Sequence, residues 1–342
     1  MKAVVIHTHG SPDVLSYEDF PTPRIKSNEV LIQVKSIALN HLDLWVRSGV
    51  TSKKLAMPHI LGSDASGVVC EIGTDVEGLK IGDKVILAPG YSLCNKCKAC
   101  LAGDDNLCAD YHVLGESISG VYAEFVKIPA NNVFQIPAGL SFEQAAAIPL
   151  VFLTAWNMLV NQVKIKRGET VLIHAAGSGV GSAGIQIAKL FGAMVIATAS
   201  SDEKLRKAIE LGADHIIRYD EKNFRKETRA ITSGQGVDIV FEHVGEETWV
   251  DSIRALATGG RLVTCGATSG YLAETDLRHV FFRSLKIYGN FMGRKGGLLE
   301  ALQFFPEKLK PMIDKSFHLS EVAAAHKYLA DRRQFGKIIL NI

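Results

Sequence analysis

Four cysteines within fifteen residues, Cys94, Cys97, Cys100 and Cys108, constrain what this chain can fold into more than any other feature, and only Cys70 and Cys265 lie elsewhere. Spacings of x2, x2 and x7 let short loops carry four sulfurs to one tetrahedron, the geometry of a structural zinc site. Four protein ligands leave no coordination position open to water or substrate, so such a site staples a lobe (94–108) and performs no chemistry. Iron–sulfur clusters share the opening of the pattern, but the bacterial ferredoxin run places its fourth Cys after three residues and follows it with Pro. Here the gap is seven and Ala109 follows. Disulfides suit small secreted domains, whereas this chain has 342 residues, 47% of them hydrophobic, and no basic-then-apolar leader at Met1. The expectation is one structural Zn2+ in a protein of the reducing cytoplasm.

A net charge of +2 without a long basic cluster argues against a nucleic-acid partner or an anionic membrane surface. The most apolar stretch, residues 145–160, contains Pro149, Thr154 and Asn157 and is shorter than the roughly 20 residues a membrane helix needs. The remaining expectation is a small-molecule substrate. Short β-branched runs bounded by Gly, Pro, Asn and Asp (residues 2–6, 29–34, 67–72 and 82–86) read as an antiparallel β-rich domain. After about Glu143 the pattern alternates between strand and helix: 170–174, a helix near 183–191, 193–197, a helix near 202–211, then strands at 237–241, 260–264 and 285–288. That alternation predicts a doubly wound parallel sheet, giving an α/β chain of two domains.

Between the strand Val171–Ala175 and its following helix lies Ala176-Gly177-Ser178-Gly179-Val180-Gly181. Small residues let the backbone turn tightly and approach a pyrophosphate, whose charge meets the N–H groups and dipole of the helix start. Ser178, Gly179, Val180 and Gly181 are the candidate phosphate ligands, and the strand–loop–helix context is what gives the G-x-G-x-x-G string weight. The next strand ends Ala197-Thr198-Ala199-Ser200-Ser201, with no acid where an NAD-selective site holds the ribose 2′-hydroxyl. Ser200 leaves room for a 2′-phosphate and Lys204 and Arg206 supply cations, so NADP(H) is expected. Asp202 and Glu203 read as charges complementing a helix start.

With the four-Cys loop and this nucleotide fold, the chain resembles the medium-chain dehydrogenase/reductase superfamily over essentially its full length. Residues 76–85, 136–140, 145–149 and 212–214 carry the likeness. The resemblance implies a GroES-like β-rich catalytic domain (1–125 and 290–342) beside a Rossmann NADP(H)-binding domain (126–289), assembled as a homodimer or homotetramer. The zinc alcohol dehydrogenases of that superfamily hold a catalytic zinc through three ligands. The matching positions here are Asn40, Ser63 and about Leu150, none of them a ligand of that kind. Asn40 and Gly62-Ser63-Asp64 are instead similar to the zinc-independent quinone oxidoreductase branch, whose NADPH-binding members contact the 2′-phosphate from positions matched by Lys204 and Tyr219. The chain departs from that branch in keeping the four cysteines and in carrying Trp45 where several members have Tyr.

Without a Lewis acid, the electrophile must be activated by its own conjugation. The expected function is therefore NADPH-dependent hydride transfer to a quinone, enone or enoyl thioester, with Asn40 donating to the developing oxyanion and His41 or solvent supplying the proton. Asp64 completes the candidate catalytic set. One alternative is a zinc-type alcohol dehydrogenase with a metal held by His41, Asp43 and Asp64. Another, of a different class, is a non-catalytic nucleotide- or nucleic-acid-binding protein.

Overall fold

Along the strand Glu29–Ala38, Val30, Leu31, Ile32, Val34, Ser36, Ile37 and Ala38 are all buried and only Gln33 is exposed. Burial on both faces marks this strand as the centre of the first unit's main sheet. The computed structural model describes residues 1–50, 54–92 and 94–342. Its first unit comprises Met1–Leu150, Arg294–Pro306 and Lys310–Ile342, and its second Val151–Gly293 and Glu307–Leu309.

In the first unit β1 (Lys2–Ile6), β2 (Leu15–Asp19) and β4 (His59–Ile60) form a small sheet in the order β2-β1-β4. The main sheet uses β3 (Glu29–Ala38), β5 (Asp64–Ile72), β6 (Lys84–Leu87), β10 (Val133–Gln135), β17 (Ile313–His318) and β18 (Lys337–Asn341) in the order β10-β6-β5-β3-β18-β17. One further strand, β9 (Phe125–Pro129), pairs with β3. A two-stranded ribbon, β7 (Gly90–Ser92) with β8 (Tyr111–Val113), brackets the cysteine lobe. Strand register then sets which residues meet at the end of β3. Ala38 lies opposite both Asp64 of β5 and Ile339 of β18, so the residues just past it face the start of β5 and the start of β18.

The expected boundaries at 125/126 and 289/290 fall at 150/151 and 293/294. The reason is pairing: β9 is bonded to β3 and β10 to β6, and the helix Phe142–Ala146 packs on β3 and β5, so residues 126–150 are built into the first sheet.

The second unit is a six-stranded, all-parallel sheet of β11 (Thr170–Ile173), β12 (Met194–Ala199), β13 (His215–Arg218), β14 (Val237–Glu242), β15 (Leu256–Thr264) and β16 (Lys286–Gly289), ordered β13-β12-β11-β14-β15-β16. The chain runs outward from β11 to β13, then returns to the other side of β11, so the order reverses between β11 and β14. Ligands bind at the carboxyl ends of strands at such a reversal. Leu172, Ile196, Val240 and Leu262 from adjacent strands form the core of this unit. No helix among the described residues is long and apolar enough to cross a membrane.

Candidate functional site

The first unit buries a polar cluster where β3, β5 and β18 meet. Lys337 is 3% and Asp64 0% exposed at the side chain, and their Nζ and Oδ2 lie 3.1 Å apart. Asn40 joins them. A Lys can only donate and a carboxylate only accept, which fixes the orientation of its carboxamide: Oδ1 accepts from Lys337 Nζ (2.6 Å), while Nδ2 donates to Asp64 Oδ2 (3.0 Å) and to Ala38 O (3.4 Å). Asp64 Oδ1 accepts the backbone N–H of Leu150 (2.9 Å). Ser63, fully buried, donates to Leu114 O (2.7 Å). Asn40, Ser63 and Leu150 thus all hold hydrogen bonds within the protein, and the cation beside Asp64 is an ammonium.

Behind this cluster runs a second buried chain of bonds. The N–H of Asn40 donates to Asp43 Oδ2 (2.8 Å), half of a capping arrangement at the start of the helix His41–Ser48. Tyr122 Oη also donates to Asp43 Oδ2 (2.8 Å) and lies 3.1 Å from His326 Nε2. Arg47 Nη1, which can only donate, is 3.0 Å from His326 Nδ1. The imidazole therefore accepts at Nδ1 and carries its proton at Nε2, donating to Tyr122. Burial, then the Arg47 charge, pushes His326 down to about 3. Burial pushes Asp43 up to about 6 against the bonds from Asn40 and Tyr122. His41 sits at the helix start, half-buried, its ring edge-on to Trp45 at 4.9 Å between centroids.

In the second unit, β11 runs into the glycine-rich loop at the point where the strand order reverses. Ser178 caps the helix Gly179–Leu190, its Oγ accepting from Gly181 N (2.9 Å). Helix geometry leaves the N–H groups of Gly179 and Val180 without partners in the helix, and with the dipole they form an anion cradle. A Cβ on Gly181 would lie 2.4 Å from Ala175 O, and one on Gly184 3.2 Å from the Phe241 ring, so both glycines let the helix approach loop and sheet. Ala175, a non-glycine residue at φ 46°, makes the turn. These residues fit a dinucleotide pyrophosphate.

Beneath the loop lies a cluster with no local sequence signal. Glu242, at the end of β14, is fully buried and accepts from the N–H groups of Val244 (2.7 Å) and Gly245 (3.2 Å), from Thr248 Oγ1 and from Ser252 Oγ (2.8 Å). Burial raises its carboxyl, but the His174 ring, Ser252 Oγ and the Val244 N–H bring it below its ordinary value. Ser252 gives its proton to Glu242, so its Oγ accepts from His174 Nε2 at 2.9 Å. Burial holds His174 below its usual range. His174 Nδ1 meets Thr198 Oγ1 (3.3 Å) and its carbonyl accepts from His243 Nε2 (2.9 Å). The cluster ties the ends of β11, β12 and β14 to one another directly under the loop.

The expected ribose-phosphate residues converge at the ends of β12 and β13. Ser200 follows β12, Ser201 caps the next helix by accepting from Lys204 N (3.3 Å), and Tyr219 N donates to Ala199 O (3.2 Å). Sequence reasoning passed over Arg218, the last residue of β13, whose guanidinium meets Asp202 (3.3 Å), Asp220 (3.2 Å) and Glu221 (3.0 Å).

The sulfur atoms of Cys94, Cys97, Cys100 and Cys108 all lie within 4.8 Å of one another. Zinc–sulfur bonds of about 2.3 Å place tetrahedral sulfurs about 3.8 Å apart, so the set fits one zinc. Cys97 and Cys100, with sulfurs 3.5 Å apart, are far from a disulfide. Backbone N–H groups of Lys96 and Cys97 hold the Cys94 thiol below its ordinary value, in the direction of the thiolate. Asp105 Oδ1 accepts from Lys295 N (3.0 Å), and Lys295 Nζ bonds Asn132 (3.2 Å), pinning the lobe to the first unit.

Residues 26–138 match a family described as the alcohol dehydrogenase GroES-like domain, and residues 179–307 one described as zinc-binding dehydrogenase. A NAD-dependent alcohol dehydrogenase of Sulfolobus acidocaldarius is 33% identical, the match covering 100% of both chains. A quinone oxidoreductase of Pseudomonas aeruginosa is 31% identical over 99% of both. A solved structure of a NAD-dependent alcohol dehydrogenase is 49% identical with a TM-score of 0.97 over 100% of both chains.

Proposed function

Because this chain belongs to the medium-chain dehydrogenase/reductase superfamily, we propose that it is an oxidoreductase that reduces conjugated acceptors (quinones, enones or enoyl thioesters) with NADPH and without a catalytic metal. The observation that supports this reading most is the Lys337–Asp64–Asn40 cluster, in which an internal ammonium takes the carboxylate and the amide that a second cation would need. A metal site demands free, deprotonated donors, and Asn40, Ser63 and Leu150 supply an engaged amide, an engaged hydroxyl and an alkyl chain. A bound nicotinamide supplies the hydride, and conjugation in the acceptor spreads the charge that a Lewis acid would otherwise stabilise.

Gly179, Val180 and the Ser178 cap receive the pyrophosphate. Ser200, Lys204 and Tyr219 receive a 2′-phosphate. Asn40, expected to donate to the oxyanion, does so only by giving up its bond to Asp64 or Ala38. Its stronger role is positioning: with Lys337 and Asp64 it fixes the start of the helix that carries His41. His41 or solvent then supplies the proton. The protein acts on a small molecule, as a homodimer or homotetramer in the cytoplasm.

Oxidation of NADPH measured against a quinone, an enone, an enoyl-CoA and an aldehyde tests the reading. Turnover is expected with the three conjugated acceptors and only weakly with the aldehyde. A second reading, alcohol oxidation, draws on the alcohol dehydrogenases to which the chain is similar. Zinc-dependent oxidation of a simple alcohol with NAD would favour it, and no turnover of any kind would favour a binding protein.

A further inference from the structure

We propose that the second unit carries an anion site for a phosphoryl or pyrophosphoryl group, distinct from the cofactor loop and lined by Arg225, Arg229, Arg254, His279 and Arg283. These five residues line an open surface depression of about 450 Å³ and include no acid. That volume falls in the range of small-molecule sites, roughly 300–1,000 Å³.

Placement separates the depression from the dinucleotide site. Arg283 donates to the carbonyls of Leu256 (2.7 Å) and Ile253 (2.9 Å), and Leu256 opens β15. Arg229 donates to Gly234 O (2.6 Å), three residues before β14 begins at Val237. The depression therefore lies at the amino ends of β14 and β15, whereas the glycine-rich loop follows the carboxyl end of the parallel strand β11. Strands of this length separate the two by roughly 20 Å.

Capping of helix ends accounts for part of the cluster. Arg229 and Arg283 each spend two donors on carbonyls, and cations favour helix C-termini. Capping does not account for the rest. Arg283 Nε is buried with no hydrogen-bond partner among the described residues. Arg254, half-buried, makes no side-chain hydrogen bond or ion pair among them. Arg225 has Asp251 at 3.4 Å, the sole carboxylate paired to any of the four guanidiniums among the described residues. Four guanidiniums facing one depression repel one another, and Arg283 is held below its ordinary value by burial and then by the Arg229 charge. A dianion relieves that repulsion and satisfies the open N–H groups, and planar guanidinium forks match phosphoryl oxygens in pairs.

The test titrates inorganic pyrophosphate into the protein by calorimetry, with the dinucleotide site saturated by nicotinamide cofactor and ionic strength held constant with chloride. ADP and inorganic phosphate titrated in parallel distinguish a nucleotide from a free anion as the source. One pyrophosphate per chain is expected, weakened by about tenfold or more in R225Q/R254Q, which removes two charge-assisted partners without touching the capping pair. The melting temperature of that variant in chloride should equal or exceed that of the parent, since like charges have been removed. Absence of binding with cofactor present, or affinity unchanged in R225Q/R254Q, would overturn the proposal.

Discussion

Replacing Lys337 with Met examines the buried cluster directly, because Met keeps an unbranched apolar stem of similar reach and removes only the charge. In the parent, Asp64 Oδ2 accepts from Lys337 and Asn40 while Oδ1 accepts from Leu150 N. The variant leaves a fully buried carboxylate with two neutral donors and no cation. Breaking a buried pair from one side costs about 3–5 kcal/mol. A domain of 150–250 residues loses about 2–4 °C per kcal/mol, so the first unit should melt about 6–20 °C lower by near-UV circular dichroism or calorimetry. Adding Asp64→Asn should recover about half or more of the loss, since the orphaned charge is gone and the amide still accepts. A loss under about 1 kcal/mol, or no rescue by Asp64→Asn, would refute the reading of Lys337 as the resident cation.

Cys100→Ser should lower the melting temperature of the first unit and leave the remaining folded protein active; loss of the zinc without loss of stability would contradict a stapling role. Lys204→Ala should weaken NADPH binding at least several-fold and leave NADH binding nearly unchanged, because charge-assisted bonds to a 2′-phosphate are worth about 1.5–3 kcal/mol each; equal parental affinity for the two cofactors, by fluorescence titration, would contradict it. Asp43 and His326 set a pH dependence of opposite signs. His326, held down to about 3, favours protonation of the unfolded chain and loses stability as pH falls below its unfolded value. Asp43, raised to about 6, favours protonation of the folded chain and gains stability as pH falls through 6. The two effects largely cancel between about pH 6 and 4, so Asp43→Asn should expose a loss of about 1.4 kcal/mol per pH unit in that window, read from denaturant unfolding. A variant as flat as the parent would contradict the assignment.

The cysteine lobe and the glycine-rich loop were legible because their chemistry is local. Sulfurs at x2, x2 and x7 converge through short loops, and glycines between a strand and a helix need no distant partner. The Lys337 site was not legible. In the sequence, Lys337 is the polar first residue of an apolar strand, where solvation is the ordinary reading. Its burial comes from β18 pairing with β3 almost 300 residues earlier, a register no local pattern encodes. The His174–Glu242–Ser252 cluster is hidden for the same reason, since three parallel strands and a helix bring together letters spread across the second unit. The pairing of residues 126–150 into the first unit's sheet was not legible, because β10 is three residues long and gives almost no periodicity, and its partner β6 lies far away in sequence.

The claim of reduction without a catalytic metal is tested most directly by counting metal and measuring turnover in the same sample. Protein treated with chelator should retain about one zinc per chain, held by the four cysteines, and reduce an enone with NADPH at the untreated rate. About two metal ions per chain before treatment, with turnover abolished by chelator and restored by added zinc, would contradict it.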